Sequence, residues 1–195
     1  ESNYKDRKSH GLSTKWYSNG QKRLEWNWKD GRRHGPENSW YENGQKRYEQ
    51  NWKEGELHGP SDKWYENGKI RCSFIGSGET GVETGVQTCS YENGQKESEY
   101  NYKDGQKHGL TITWDENGKK SYETNYKEGE RHGLRTQWYD NGQKKYEYNY
   151  KDGNWHGLRT EWYENGQKKS ESNYKDRKSH GLSTKWYSNG QKRLE

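Results

Sequence analysis

Seven histidines recur beside glycine in this 195-residue chain, at His10, His34, His58, His108, His132, His156 and His180. Imidazole is a common metal ligand, so a ladder of histidines first raises metal chemistry. A metal site needs several ligands converging at about 2 Å. One histidine per repeat, roughly 9.6 Å from the next, does not converge. The expectation is a histidine that bonds turn backbone, with no metal and no cofactor.

Indole and phenol rings form the second chemical pattern. One column is Trp16, Trp40, Trp64, Trp114, Trp138, Trp162 and Trp186. Another is Tyr4, Trp28, Trp52, Tyr102, Tyr126, Tyr150 and Tyr174. Ring faces stack on pyranose sugars and on cations, so such a column is either a sugar-binding platform or the core itself. The core reading is favoured by the scarcity of aliphatic side chains. It expects a loss of about 3–5 kcal/mol when a central, well-buried tryptophan becomes alanine. Trp26 and Trp155 fall outside the main column and are expected to be exposed contacts.

The third pattern is the pair Cys72 and Cys89, the only cysteines. They flank a Gly-rich stretch about symmetrically, so a disulfide across a hairpin is sensible. Closing that loop contributes about 3 kcal/mol on a chain-entropy argument. It implies an oxidising compartment, hence the cell surface or exterior. Reduced thiols are the alternative and imply the cytoplasm. Phe74, Ile75, Gly76, Gly81, Val82, Gly85 and Val86 in this stretch are candidate recognition residues, because irregular loops on regular scaffolds carry specificity. No nucleophile elbow, phosphate loop or metal motif occurs, so no catalytic residue is assigned and no enzyme is expected.

These residues are positioned by a 24-residue repeat. Asn-Gly recurs at Asn19-Gly20, Asn43-Gly44, Asn67, Asn93, Asn117, Asn141-Gly142, Asn165-Gly166 and Asn189, with a spacing of 24 except for 26 between Asn67 and Asn93. Asn-Gly between alternating runs is a strong hairpin signal, because both residues tolerate positive φ. A second turn signal, Asp-Gly or Glu-Gly as at Asp104 and Glu128, closes with His-Gly. Two turns per repeat leave two strands of about six to eight residues. The segments between them alternate: Leu134, Thr136 and Trp138 share one face, and Tyr146, Tyr148 and Tyr150 share another. The expected fold is all-β: an elongated array of about eight antiparallel hairpins over residues 1–195, forming a single meandering twisted sheet or a β-solenoid. Residues 72–89 are an irregular, disulfide-closed insertion in the fourth repeat. At about 4.8 Å per strand, eight repeats span roughly 75 Å.

Composition agrees with an aromatic β-protein. Valine, isoleucine and leucine number 13 together, against 11 Trp and 17 Tyr. An ordinary aliphatic core is excluded, and no apolar run reaches the roughly 20 residues of a membrane-spanning helix. Thirty-five basic residues face 30 acidic ones, interspersed, which does not suit a nucleic-acid binder.

Residues 1–25 and 171–195 are identical, at an offset of 170. The expectation drawn from this is a window from a longer polymer, with recent duplication and an engineered array as alternatives.

The recurring Trp-Tyr-Glu-Asn-Gly-Gln-Lys, followed by Asn-Tyr-Lys-Asp-Gly and His-Gly-Leu, resembles the MORN repeat variant family, including its bacterial YwqK-type members labelled as antitoxins. The resemblance covers nearly all of the chain except residues 72–89. It implies elongated hairpin arrays and a role in binding or scaffolding, with lipid association among eukaryotic relatives. A weaker similarity links the Trp-Tyr and Asn-Gly pattern to cell-wall-binding repeats of choline-binding proteins. The function expected is a structural protein that forms an extracellular fibre or rod by stacking hairpins and self-associating along the repeat axis. The alternative is a binding module for a protein, glycan or lipid.

Overall fold

The computed structural model describes residues 4–77 and 84–193. Regular structure in them is entirely β, and every pairing is antiparallel. The chain divides into two compact units. One comprises Glu1–Gln95 with Tyr102–Gly105, and the other Lys96–Asn101 with Gln106–Glu195.

In the first unit, β1 (Tyr4–Lys5) and β2 (Lys8–Ser9) make a short hairpin. A meander follows through β3 (Gly11–Trp16), β4 (Lys22–Lys29), β5 (Arg32–Trp40), β6 (Lys46–Lys53), β7 (Glu56–Leu57), β8 (Ser61–Trp64), β9 (Ile70–Ser77) and β10 (Thr84–Ser90). The second unit contains most of β11 (Lys96–Lys103), then β12 (Gln106–Lys107), β13 (Gly109–Trp114), β14 (Lys120–Lys127), β15 (Glu130–Trp138), β16 (Lys144–Lys151), β17 (Asn154–Trp162), β18 (Lys168–Lys175) and β19 (Lys178–Lys185). Strand order follows chain order, so each unit is a meander and not a coil of solenoid turns. Among the described residues neither meander closes on itself: β3 does not pair with β10, nor β11 with β19.

Two turn types alternate. At the acidic-Gly turn both central residues are left-handed, as at Glu128 (φ 51°) and Gly129 (φ 81°), and Lys127 faces Glu130 directly. This is a two-residue type I′ turn, whose twist matches the strands it joins. The same conformation is forced on Arg177 (φ 67°), where no glycine is present. The Asn-Gly turn is of a different kind. Only its glycine has positive φ, as at Gly142 (84°). The Gly142 amide donates to the Tyr139 carbonyl at 2.8 Å, and Asn141 Oδ1 accepts from the Gln143 amide at 2.9 Å. This is a type I turn closed by a left-handed glycine, and asparagine contributes its side-chain acceptor instead of an unusual φ.

His-Gly does not close a turn. In β5, β15 and β17 it lies within the strand, at a bulge where glycine has φ of about 80° (Gly35, Gly133, Gly157). An asparagine on the neighbouring strand donates to a carbonyl just beyond the bulge, Asn149 to Leu158 at 3.2 Å and Asn101 to Leu110 at 2.6 Å.

The fourth repeat is more regular than its composition suggests. Residues 72–77 and 84–89 are paired strand, with Cys72 directly opposite Cys89 and joined to it by a disulfide. Backbone approach here is close. A Cβ on Gly76 would meet the Thr84 carbonyl oxygen at 2.2 Å, so glycine is required by space.

Few apolar side chains are buried. Among the described residues they are Trp26, Phe74, Cys89 and Tyr150. The most deeply buried larger side chains are threonines: Thr111 and Thr124 at 1% exposure and Thr136 at 2%. Thr124 is directly opposite Thr111 and Arg135, and Tyr122 and Tyr126 flank it two residues away on the same face. Short hydroxyl side chains at the strand centres leave room for long neighbours to cover them.

Gly129→Ala is expected to lose about 1–2 kcal/mol of stability by placing a Cβ at left-handed φ. Glu128→Asn is expected to gain about 0.5 kcal/mol, since asparagine tolerates that conformation better. Urea unfolding of both variants checks the pair.

Candidate functional site

The alternation of the strands puts the two aromatic columns on opposite faces. Tyr148 faces Arg135 and Arg159, and Arg159 faces Ser172, so these residues share one side of the second unit. Glu147 faces Thr136 and Thr160 on the other side. Trp138 and Trp162 share this second side with Thr136 and Thr160.

The first face carries rings interleaved with arginine. In the first unit, the Arg33 guanidinium lies 5.1 Å from the Trp26 ring, 5.4 Å from Trp28 and 5.7 Å from Trp52. Arg33 is ion-paired with Glu37, which is 4% exposed. Tyr48 donates its hydroxyl to Glu37 Oε1 at 2.7 Å. Burial, with that hydrogen bond to the carboxylate, pushes the Tyr48 phenol up to about 12. In the second unit, Tyr148 stacks on Trp155 with ring centres 5.9 Å apart, and Arg159 covers both rings. The Trp155 indole donates to the Tyr150 hydroxyl at 2.9 Å. Burial raises Tyr148, and the nearby Arg159 acts against that shift. Trp155 is exposed, as the sequence suggested, but Trp26 is buried at 8%. Its neighbour across the strands, Glu37, together with Arg33 explains why: the ion pair and the indole cover one another.

The opposite face carries the main tryptophan column, and it is not a core. Trp16 is 55% exposed, and Trp40, Trp64, Trp114, Trp138, Trp162 and Trp186 are half-buried. A lysine ammonium rests over a ring in each repeat of this column. Lys22 bridges Trp16 and Trp40, Lys46 covers Trp64, Lys96 covers Trp114, Lys120 covers Trp138, Lys144 covers Trp162 and Lys168 covers Trp186, at 5.2–5.9 Å. The same lysines pair with a glutamate three residues on, as in Lys120–Glu123 at 2.9 Å. Each ring is thus partly shielded by aliphatic lysine stem and ammonium.

The sequence reading missed the ties between repeats. In four repeats the tyrosine after the column tryptophan donates its hydroxyl to the tryptophan carbonyl of the next repeat: Tyr17 to Trp40, Tyr41 to Trp64, Tyr139 to Trp162 and Tyr163 to Trp186, at 2.9–3.0 Å, whereas Trp114 is followed by Asp115. Asparagines of the Asn-Gly turns do the same, Asn19 to Glu42, Asn43 to Glu66, Asn141 to Glu164 and Asn165 to Ser188. Their common separation of 23 residues was the available signal.

The remaining sequence candidates separate. His10 and His132 point Nδ1 at an acidic side chain of the next turn, Asp30 at 3.7 Å and Asp152 at 3.4 Å, and not at turn backbone. No group of three metal-ligating side chains is gathered among the described residues. In the disulfide hairpin, Phe74 is buried and meets Tyr102 edge-on, while Ile75 (71% exposed) and Val86 face each other in the open. Gly81 and Val82 lie outside the described residues.

The MORN repeat variant model matches residues 9–30, 33–54, 83–104, 107–128, 131–152 and 155–176, about two-thirds of the chain. The chain belongs to the MORN repeat variant family. No curated protein matches it. In this MORN array the matched segments include the half of the fourth repeat that carries Cys89, and none of them includes Cys72. No helix among the described residues is long and apolar enough to cross a membrane.

Because its ring is half-exposed, Trp138→Ala is expected to cost only about 1–2 kcal/mol. Tyr139→Phe, which removes one small hydroxyl, is expected to cost about 1 kcal/mol by breaking an inter-repeat bond. Denaturant unfolding measures both. The raised Tyr48 phenol means that the folded state holds this proton more tightly than the unfolded state. Its contribution is full below about pH 10 and is lost as pH rises through about 12. Comparing unfolding at pH 9 and pH 11 is expected to show a smaller loss in Tyr48→Phe than in the parent protein.

Proposed function

We propose that this MORN repeat protein is a non-enzymatic binding scaffold that aligns an extended partner along its row of repeats. A repeat-based binding or structural role is what the family supports. The observation that carries the finer reading is the cation–ring ladder. In repeat after repeat an arginine or lysine lies over a tyrosine or tryptophan ring that remains partly exposed. Such surfaces stack flat groups and pair with anions through the same residues. An antitoxin-like protein partner and a glycan or lipid partner are versions of this one reading.

A second reading, an extracellular fibre, has its own support. The Tyr-to-carbonyl bond is the same at successive repeat boundaries, so the array can lengthen without new chemistry. The Cys72–Cys89 disulfide suits an oxidising exterior.

Light scattering and negative-stain electron microscopy of the full chain, across a wide concentration range, separate the two. Discrete particles whose mass stays constant are expected of a scaffold. Filaments that lengthen with concentration in the absence of any ligand would overturn it in favour of the fibre.

A further inference from the structure

We propose that Arg23, Arg47 and Arg71 form a row that binds an acidic polysaccharide carrying one carboxylate or sulfate per disaccharide. This rests on the binding-scaffold reading and names its ligand.

The row is created by the bulge after each Asn-Gly turn. Lys15 faces Leu24 but Trp16 faces Lys22, which leaves Arg23 as the extra residue. Ser39 faces Tyr48 and Trp40 faces Lys46, leaving Arg47. Lys63 faces Cys72 and Trp64 faces Ile70, leaving Arg71. A bulged residue is excluded from cross-strand pairing, so its side chain is free to be re-aimed. All three arginines then take one pose. Arg23 lies 5.8 Å from the Tyr17 ring, Arg47 5.9 Å from Tyr41 and Arg71 5.6 Å from Tyr65. The rings are held in turn, because each tyrosine hydroxyl is committed to a carbonyl of the following repeat.

The guanidinium groups are exposed, and among the described residues none forms an ion pair. Arg33 in the same unit differs, being paired with Glu37. Between Arg47 and Arg71 is an open cleft of about 400 Å³, which Tyr48, Gln50, Lys63 and Trp64 help to line, with no carboxylate in its wall. The cleft therefore offers ring faces, an amide for hydroxyl groups and three cations. Guanidinium recognises carboxylate and sulfate with two parallel hydrogen bonds, which lysine does not reproduce.

Spacing selects the ligand. One repeat advances about 9.6 Å, so the arginines recur at about that interval. An extended β-linked disaccharide is about as long as one repeat, so an anion on every second sugar meets every arginine in register. A duplex strand places a phosphate about every 3.4 Å along its axis, so about two of every three phosphates would meet no arginine of the row. The second unit supplies an internal control. There the corresponding sequence positions hold Glu97, Ser121, Lys145, Lys169 and Arg193, of which Ser121, Lys145 and Lys169 are bulged in the same way, so a run of three arginines is particular to the first unit.

The test is calorimetric titration of the full, disulfide-intact chain with a hexasaccharide of alternating uronate and N-acetylhexosamine. A neutral β-glucan hexasaccharide, single-stranded DNA and anionic phospholipid vesicles are the comparison probes. The acidic hexasaccharide is expected to bind best. Arg47→Gln is expected to weaken it about tenfold, and the Arg23→Gln/Arg47→Gln/Arg71→Gln variant to weaken it at least a hundredfold. Lys145→Gln/Lys169→Gln is expected to change it less than twofold. Circular dichroism and unfolding of each variant confirm an intact fold. Three results overturn the assignment: unchanged hexasaccharide binding in the triple variant, equal loss in the lysine variant, or tighter arginine-dependent binding of DNA or vesicles. Discrete particles that bind none of the probes remove the ligand assignment alone, whereas ligand-free filaments remove the scaffold reading beneath it.

Discussion

Every feature of this protein follows from building each unit as one sheet with almost no aliphatic side chains. A sheet normally hides one face against a second layer. Here 13 aliphatic residues of the large branched type are spread over 195 positions, and several of them, Leu134, Leu158 and Ile75 among them, are exposed. Shielding must come from long side chains that lie across the sheet and cover the neighbouring repeat. Arg33 over three tryptophans and Lys22 between two are instances of that solution. It works only while the repeats stay in register. The tyrosine and asparagine bonds at a separation of 23 residues fix that register at one margin. At the other margin, the glycine amide of a type I′ turn donates to the preceding repeat, as Gly129 does to Lys107 and Gly55 to Arg33. Stability is then a sum of boundary terms between adjacent repeats.

The two turns divide the labour between conformation and side-chain chemistry. The type I′ turn is a backbone device, needing two left-handed residues and little else. It therefore accepts Asp or Glu, and even arginine at Arg177. The Asn-Gly turn is a side-chain device. Its asparagine bonds its own loop through Oδ1 and the next repeat through Nδ2. Its glycine is constrained by φ, near 84° at Gly20, Gly44 and Gly142. This accounts for the invariance of Asn-Gly across all eight repeats while the acidic turn varies in this chain.

The hairpins were legible because glycine and alternation act locally. Two turns per 24 residues leave no room for a helix, and Tyr146, Tyr148 and Tyr150 announce their common face by period two. Burial was not legible. The Trp column reads as core because tryptophan is the largest apolar residue, yet in a sheet without a second layer the most enclosed positions are the strand centres. Threonine fits there beneath longer neighbours, so Thr111 and Thr124 are enclosed while Trp16 is open. The His-Gly bulge was also hidden, because glycine at φ near 80° looks the same in sequence whether it ends a strand or kinks one. Trp26 was misread for a similar reason. Its burial depends on the Arg33–Glu37 pair of the next strand, which the hairpin folds against the indole and which no local pattern around Trp26 announces.

The same architecture leaves the bulged residues outside the covering role that occupies the rest of the strands. Along the strands, side chains are already occupied in covering their neighbours, and replacing one disturbs two repeat boundaries. The bulged residue takes no part in the strand ladder, and no register depends on it. At that position the chain changes the sign of its charge, from Arg23, Arg47 and Arg71 to Glu97, Ser121 and Lys145, while Tyr17, Tyr41 and Tyr65 beneath the arginines keep both their rings and their bonds. A constant ring below a variable charge lets a repeat array alter the charge of its surface without altering how it holds together.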